Sequence, residues 1–310
     1  MTFLGLDCGG TKTRTAWWPR GVHELGTGAA VQPASHGVEA ASRALVERIR
    51  TADPRSEAEA IVAAIAGAGD ATIRSELLRA VAAAGIATKV AIVGDTLAAA
   101  AAVLETGPGA LVFAGTGSFA VVRAVDGTLH RTGGRGHLLG DQGSGYDLVR
   151  RAAAAVVLAV DDLGPPTALT EALCRAFAAP SPSRLGAVLQ QKAQGEVAAA
   201  LPIVLDCALR GDQAAGAVLE DGMEMLAMVC NAAVRTADLE WRGLPVHLGG
   251  GVLTGSDALR ELLQARLRGF GAGPFALVPA DAAALGAARL AFAWHQREQP
   301  MCRWVDDGAL

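Results

Sequence analysis

The chain has 310 residues, 27 Lys and Arg against 31 Asp and Glu, and a formal net charge of −4. That length supports two domains of ordinary size, each with its own core, and the mildly acidic balance argues against a polyanionic partner such as nucleic acid. Cys8, Cys174, Cys207, Cys230 and Cys302 are scattered with no C-x-x-C pair, which points to neither a disulfide framework nor a zinc site, and to a reduced, cytoplasmic setting.

Strands are predicted at Thr2–Asp7 and Thr13–Trp18, joined by a glycine turn. A strand that begins almost at once leaves no room for a cleaved leader. Gly28–His36 reads as a loop, and Gly37–Thr51 has the apolar spacing of an amphipathic helix. Ala60–Ala66 is a continuous apolar run, as expected of a strand covered on both faces. A helix over Ala71–Ala84, a strand at Lys89–Val93 and a helix over Leu97–Glu105 follow, and Thr106–Gly109 reads as a domain joint. From Leu97 to Val122 the only charge is Glu105, but Gly107-Pro108-Gly109 and Gly115-Thr116-Gly117 interrupt the stretch, so helix, turn and strand fit better than a membrane span. The scheme then repeats, with strands near Ala110–Phe113 and Phe119–Ala124 and helices to about Val160. Helical segments run from Pro166 to Ala237, broken at Ala179-Pro180-Ser181-Pro182; a strand at Pro245–Leu248 and helices at Asp257–Leu267 and Ala280–Gln296 complete the chain. This order implies two α/β domains with a cleft between them.

Two turns carry the chemistry. Asp7-Cys8-Gly9-Gly10-Thr11-Lys12-Thr13 and Gly115-Thr116-Gly117-Ser118 each join apolar runs through bare backbone, and the likeness of their flanks hints at a duplicated unit. Glycines let a row of N–H groups approach an anionic oxygen with no Cβ in the way, so two such turns can hold a polyphosphate; glycine turns are also ordinary hairpin connectors. Neither a Gly-x-x-x-x-Gly-Lys-Ser/Thr loop nor a Gly-x-Gly-x-x-Gly fingerprint is present at them. Asp7, at a strand end, can hold a magnesium ion or cap its own turn.

With Val93-Gly94-Asp95-Thr96, Gly133-Gly134-Arg135-Gly136-His137-Leu138-Leu139-Gly140-Asp141-Gln142-Gly143-Ser144-Gly145 and Leu248-Gly249-Gly250-Gly251-Val252 added in order, the chain resembles the N-acetylglucosamine kinase branch of the actin/hexokinase/Hsp70 superfamily, which includes BadF/BadG-type ATPases and bacterial glucosamine kinases. The resemblance runs from Phe3 to about Leu290. It implies two ribonuclease H-like (actin-like ATPase) domains with an inter-domain cleft: residues 1–107 plus 289–310, with a returning C-terminal helix, and a nucleotide-binding domain over 108–288. It implies ATP- and Mg2+-dependent transfer of phosphate to the 6-hydroxyl of N-acetylglucosamine or glucosamine, and a homodimer; the charge balance and the broken apolar stretch add the expectation of no nucleic-acid and no membrane partner.

Residue by residue, the resemblance makes Asp95 the base for the sugar hydroxyl, where the residue's position alone equally suits a helix N-cap. Asp7 organises Mg2+, directly or through water. Gly9, Gly10, Thr11, Lys12, Thr13, Gly115, Thr116 and Gly117 take the phosphates, and Gly249, Gly250 and Gly251 pass under adenosine. Gln32, Arg135, Gly136, His137 and Asp141 fall at the sugar. Asp141 stands in a glycine-rich loop where a carboxylate has no evident packing role and can also form an Asx turn. Gln142 replaces the Glu of many relatives, Arg135 the usual Trp, and Gln32 an asparagine. An arginine offers a cation and a fork of donors where a stacking face is expected, which suits an acidic or phosphorylated substrate. Gly67-Ala68-Gly69-Asp70 reads as a turn, and Asp281 as the cap of the last helix. Two rivals stand beside the kinase: a sugar or nucleotide sensor without turnover, motivated by those replacements, and a BadF-type dehydratase activator, which needs cluster-binding cysteines.

Overall fold

Phe3–Cys8 (β1) sends alternate side chains to two cores: Leu4, Leu6 and Cys8 to one, Phe3 to the other. A computed structural model describes the chain except residues 9–11, 20, 28–30, 69, 87–88, 105–106, 280, 298–303 and 306–310. The chain divides into two compact units, Met1–Gly107 with Pro279–Arg303, and Pro108–Val278 with Trp304–Leu310.

In the first unit β1 is followed by β2 (Lys12–Trp18), β3 (Gly21–Thr27), α1 (Pro33–His36), α2 (Val38–Ala52), β4 (Ala60–Ile65), α3 (Ala71–Ala83), β5 (Lys89–Val93) and α4 (Asp95–Val103). The sheet order is β3-β2-β1-β4-β5: β1, β2 and β3 are antiparallel, β4 and β5 parallel to β1. Ile61, Ala63 and Ile65 of β4 join the core under α2 and α3, while Ala60, Val62 and Ala64 face the core that includes Ala98 and Ala101 of α4. That two-sided burial explains the unbroken apolar run.

The second unit holds β6 (Gly109–Ala114), β7 (Ser118–Arg123), β8 (Leu129–Gly133), α5 (Gly145–Val160), α6 (Leu169–Ala176), α7 (Leu185–Leu189), α8 (Gln194–Ala198), α9 (Leu201–Leu209), α10 (Gln213–Thr236), β9 (Val246–Gly249), α11 (Gly251–Gly255), α12 (Asp257–Phe270) and β10 (Phe275–Leu277). The chain then returns to the first unit as α13 (Ala282–Arg297) and ends on β11 (Trp304–Val305), paired with β8. The order β10-β9-β6-β7-β8 repeats that of the first sheet, with β11 added at its edge. The two halves are one design used twice.

All of α13 lies with the first unit, from Pro279 onward. It crosses β1 at Gly5, where a Cβ would sit 2.2 Å from the Ala288 nitrogen, and meets α4 at Gly286, where a Cβ would sit 1.9 Å from the Ala98 oxygen. Close backbone approach of this kind needs small residues on both sides, which gives the abundant alanine its structural use.

The structure corrects some sequence expectations. β3, β8 and β10 have no counterpart among the expected strands. The sequences Leu129–Gly133 and Gly21–Thr27 carry too many polar and glycine residues for a clear period of two. Pro33–His36 is a turn of helix rather than loop, opened by a proline in its first turn. Helix α4 starts at Asp95, two residues earlier than expected, with Gly94 as its N-cap.

Candidate active site

In the first unit the two candidate carboxylates sit just at or beyond the carboxyl ends of parallel strands, where loops open from a rigid sheet. Asp7 is the penultimate residue of β1, opposite Arg14 of β2 and Ala64 of β4. Asp95 is the first residue of α4, one residue beyond Gly94 and the end of β5. It is not the N-cap; its Oδ1 accepts from the Thr96 backbone N–H at 2.8 Å and lies 3.4 Å from the Thr96 hydroxyl. Burial, with the charge of Asp95 adding to it, pushes the Asp7 carboxyl up to about 6, against the lowering pull of Arg14. The charge of Asp95 is thus felt at Asp7. Neighbouring Cys8 is buried and pushed up to about 12, chiefly by that burial and then by the charge of Asp7, against the charge of Arg48 and a hydrogen bond donated by the Thr13 hydroxyl. Such a thiol is inert packing at neutral pH.

Thr13 is itself buried in β2, so its hydroxyl belongs to the hairpin interior. Gly9, Gly10 and Thr11 lie outside the described residues, as does the side chain of Lys12, whose backbone begins β2. Gln32 precedes α1 in extended conformation, half-buried, and its side chain makes no capping bond. Ala68 is buried in a turn whose N–H returns to the Ile65 carbonyl, and Asp70 caps α3 by accepting from Thr72 at 2.6 Å and Ile73 at 3.2 Å. Those bonds, first that from Ile73, hold its carboxyl below the usual range. The Asp281 carbonyl accepts the Leu285 N–H at the start of α13.

The second unit gathers three segments. The turn at Gly115-Thr116-Gly117 closes β6 onto β7 with Gly115 N–H on the Gly117 carbonyl at 2.8 Å, and leaves Thr116 exposed. Gly249 pairs beside Phe113 on the adjacent parallel strand. Gly250 has φ +86°, and a Cβ there would fall 2.2 Å from the Ala114 oxygen; a Cβ on Gly115 would reach 3.9 Å from the Gly251 nitrogen. The expected phosphate turn and the expected adenosine turn are thus neighbours, and only glycine fits at Gly250. The third segment is the loop after β8: the Gly145 N–H donates to the Gly115 carbonyl at 2.8 Å, and the Ser118 hydroxyl to the Gln142 carbonyl at 2.7 Å.

Within that loop Arg135 and Gly136 are exposed, and His137 lies edge-on to Tyr146 with ring centroids 4.8 Å apart. Asp141 departs from expectation: it is 5% exposed, packed beside Gly117, at φ +56°. Burial pushes its carboxyl up, opposed by hydrogen bonds from the Ser118 and Gly136 backbone and by the charges of Arg131 and His137. The carboxylate has a packing role after all, as part of the loop's interior.

Sequence reasoning passed over Ser144 and Asp147. The Ser144 hydroxyl accepts the Asp147 N–H at 3.1 Å, and Asp147, 4% exposed, accepts from Gly143 N–H at 3.0 Å, Arg150 at 2.7 Å and Arg151 at 2.8 Å. An acidic residue three positions after a serine, just before an apolar run, is a helix-start signal that could have found them. Among the described residues no group of three or more His, Cys, Asp or Glu is placed to hold a metal, and no helix is long and apolar enough to cross a membrane. Two oxygen-donor carboxylates without a cage nonetheless fit Mg2+, which keeps several waters and is held by one or two carboxylates together with substrate phosphates.

Two units of one strand order, each with glycine turns at the carboxyl ends of its parallel strands, define the actin-like ATPase class of fold. The chain belongs to the BadF/BadG/BcrA/BcrD ATPase family, which it matches over residues 4–291. It is 27% identical over 210 residues to the N-acetylmuramic acid/N-acetylglucosamine kinase of Clostridium acetobutylicum, covering 66% of this chain and 68% of that one. It is 28% identical over 163 residues to the N-acetyl-D-glucosamine kinase of Dictyostelium discoideum, about half the length of each protein (51% and 51%). A Chromobacterium violaceum structure assigned as an N-acetylglucosamine kinase superposes with TM-score 0.70 at 24% identity, over 93% of this chain and 98% of that one. A ROK family glucokinase from Streptomyces griseus in complex with glucose and AMPPNP superposes with TM-score 0.56 at 17% identity, over 94% of this chain and 100% of that one.

Proposed function

We propose that the protein is an ATP- and Mg2+-dependent kinase that phosphorylates the 6-hydroxyl of an amino sugar, N-acetylglucosamine or glucosamine first. The observation that carries this reading is the placement of Asp7 near the end of β1 and of Asp95 at the start of α4, just past β5, with the charge of Asp95 felt at Asp7; the names of the two sequence relatives support the sugar class. Asp95 accepts the proton of the attacking hydroxyl as the sugar oxygen bonds to the γ-phosphorus and the bond to the β-phosphate oxygen breaks, releasing ADP. The transition state is loose, so this proton moves late and positioning dominates the rate. The metal's chemistry, when bound, is neutralisation of phosphate charge, and Asp7 is the residue that would hold it. Gly115–Gly117 and Gly249–Gly251 receive the nucleotide through bare backbone. Arg135, exposed on its loop, offers a cation to a substituent of the sugar; Gln32, Gly136 and His137 complete the sugar contacts.

An ADP-release assay over a panel of amino and neutral sugars tests the reading. Sugar-dependent turnover with phosphate on O6, read by NMR of the product, is the expected result. Sugar-independent hydrolysis points instead to an ATPase, and binding without turnover to a sensor; either outcome removes the kinase.

A further inference from the structure

We propose that Asp141 is a positioning residue whose carboxylate locks the Gly115–Ser118 turn to the loop between β8 and α5, shaping that turn for a phosphate chain before any sugar arrives. The inference rests on the reading that this turn receives nucleotide, and it gives Asp141 a task on the nucleotide side.

A side chain of this charge is hidden from water only where partners replace the lost hydration. Here the carboxylate faces the backbone of Ser118, in the turn, and of Gly136, in the loop, whose N–H groups favour its charged form. The carboxylate lies against the turn closely enough that a Cβ on Gly117 would be 2.9 Å from Oδ2. Gly117 is thus small because Asp141 occupies the space beside it. The Asp141 backbone holds φ +56°, a conformation non-glycine residues adopt rarely and keep when the surroundings fix it. Further bonds run between the same two segments: Ser118 hydroxyl to Gln142 carbonyl, and Gly145 N–H to Gly115 carbonyl. The Asp141 carbonyl also takes the Ser144 N–H at 3.1 Å, tying the lock to the first turn of α5.

Asp141→Asn isolates the carboxylate, because asparagine tolerates positive φ while replacing one acceptor oxygen with a donor that faces a backbone N–H. With AMPPNP as probe and no sugar present, calorimetric titration should show binding weakened about ten- to a hundredfold, the range for a lost bond to a charged group. Amide exchange at Gly117 and Ser118 should quicken in the same variant. Ser118→Ala removes only the hydroxyl bond and should weaken AMPPNP about two- to fivefold, with the double variant losing less than the product of the single effects. The proposal is overturned if Asp141→Asn binds AMPPNP like the wild type with unchanged exchange and loses only in KM for sugar, since Asp141 would then act as a sugar contact alone. Should Asp141→Asn fail to fold, the Ser118→Ala titration and its exchange at Gly117 decide. Wild-type protein that does not bind AMPPNP would instead remove the kinase reading, and the exchange measurement would still decide whether the lock exists.

Discussion

Asp7, near the end of β1, and Asp95, at the start of α4, are both short carboxylates, and the proposed kinase reading gives them different work. Asp95, at the first position of α4, is steadied by the Thr96 N–H but is not consumed as a cap. Asp95→Asn should lower kcat about 10²–10⁴-fold, the usual contribution of a general base, with KM for both substrates and the thermal midpoint little changed; steady-state kinetics beside a melting curve check this. Asp7 titrates near 6 in the folded protein against an ordinary value of 3.8. Its folded form holds the proton more tightly, so this group's contribution to stability is complete below the unfolded value and is lost as pH rises through the folded one. The ligand-free protein should therefore lose stability between about pH 4 and pH 6.5 from this group, and Asp7→Asn should flatten that slope and raise the midpoint at pH 7.5. Chemical denaturation across pH, without nucleotide or divalent cation, is the test. Both residues could be picked out in sequence because strand-end Asp followed by glycine or a helix start is a local pattern. The burial of Asp141 could not, because it depends on a glycine 24 positions upstream.

Among the elements, the start of α5 and the crossing of α13 over β1 carry the clearest energetic weight. Asp147 holds two arginines and the Gly143 N–H while nearly inaccessible to water; Asp147→Ala leaves all three without their acceptor and should cost about 3 kcal/mol, read as a shift in denaturant midpoint at constant m-value. Gly250→Ala combines positive φ with a Cβ that would reach 2.2 Å from the Ala114 oxygen. The turn must move away from β6, and AMPPNP affinity should fall more than stability does. Elements whose signal was a buried apolar run or a helical period, such as β4, β5 and α2, could be placed to within a residue or two. Strands β3, β8 and β10 could not, because hydrogen bonding to a neighbouring strand rather than their own side-chain pattern makes them strands.

For the molecule as a whole, the repeated strand order and separate cores matter most. Each unit buries its own apolar cluster, so on the proposed reading a bound nucleotide should protect chiefly the unit that carries the Gly115–Gly117 and Gly249–Gly251 turns. At a concentration one hundred times Kd, AMPPNP should add about 2.7 kcal/mol to that unit, seen in amide exchange as slowed opening of Pro108–Val278 with smaller change in β4 and β5. The first unit is completed only by a helix from the far end of the chain: Ala287, Leu290 and Ala291 of α13 pack with Phe3, Ala60 and Val62. Ending the chain at Val278 should expose that face and abolish cooperative unfolding of the first unit, as read by exchange of the β4 amides.

What could be read residue by residue was whatever depends on near neighbours: apolar periods, glycine turns, a carboxylate at the end of a strand, and the order of motifs that places the chain in its family. What needed the folded chain was every contact between distant segments. Gly5 is small because α13 lies on it, Gly250 because Ala114 does, and Asp141 is buried because Gly117 leaves it room. No local pattern records such pairings, since the energy of close packing belongs to two surfaces at once and each sequence stretch describes only one of them.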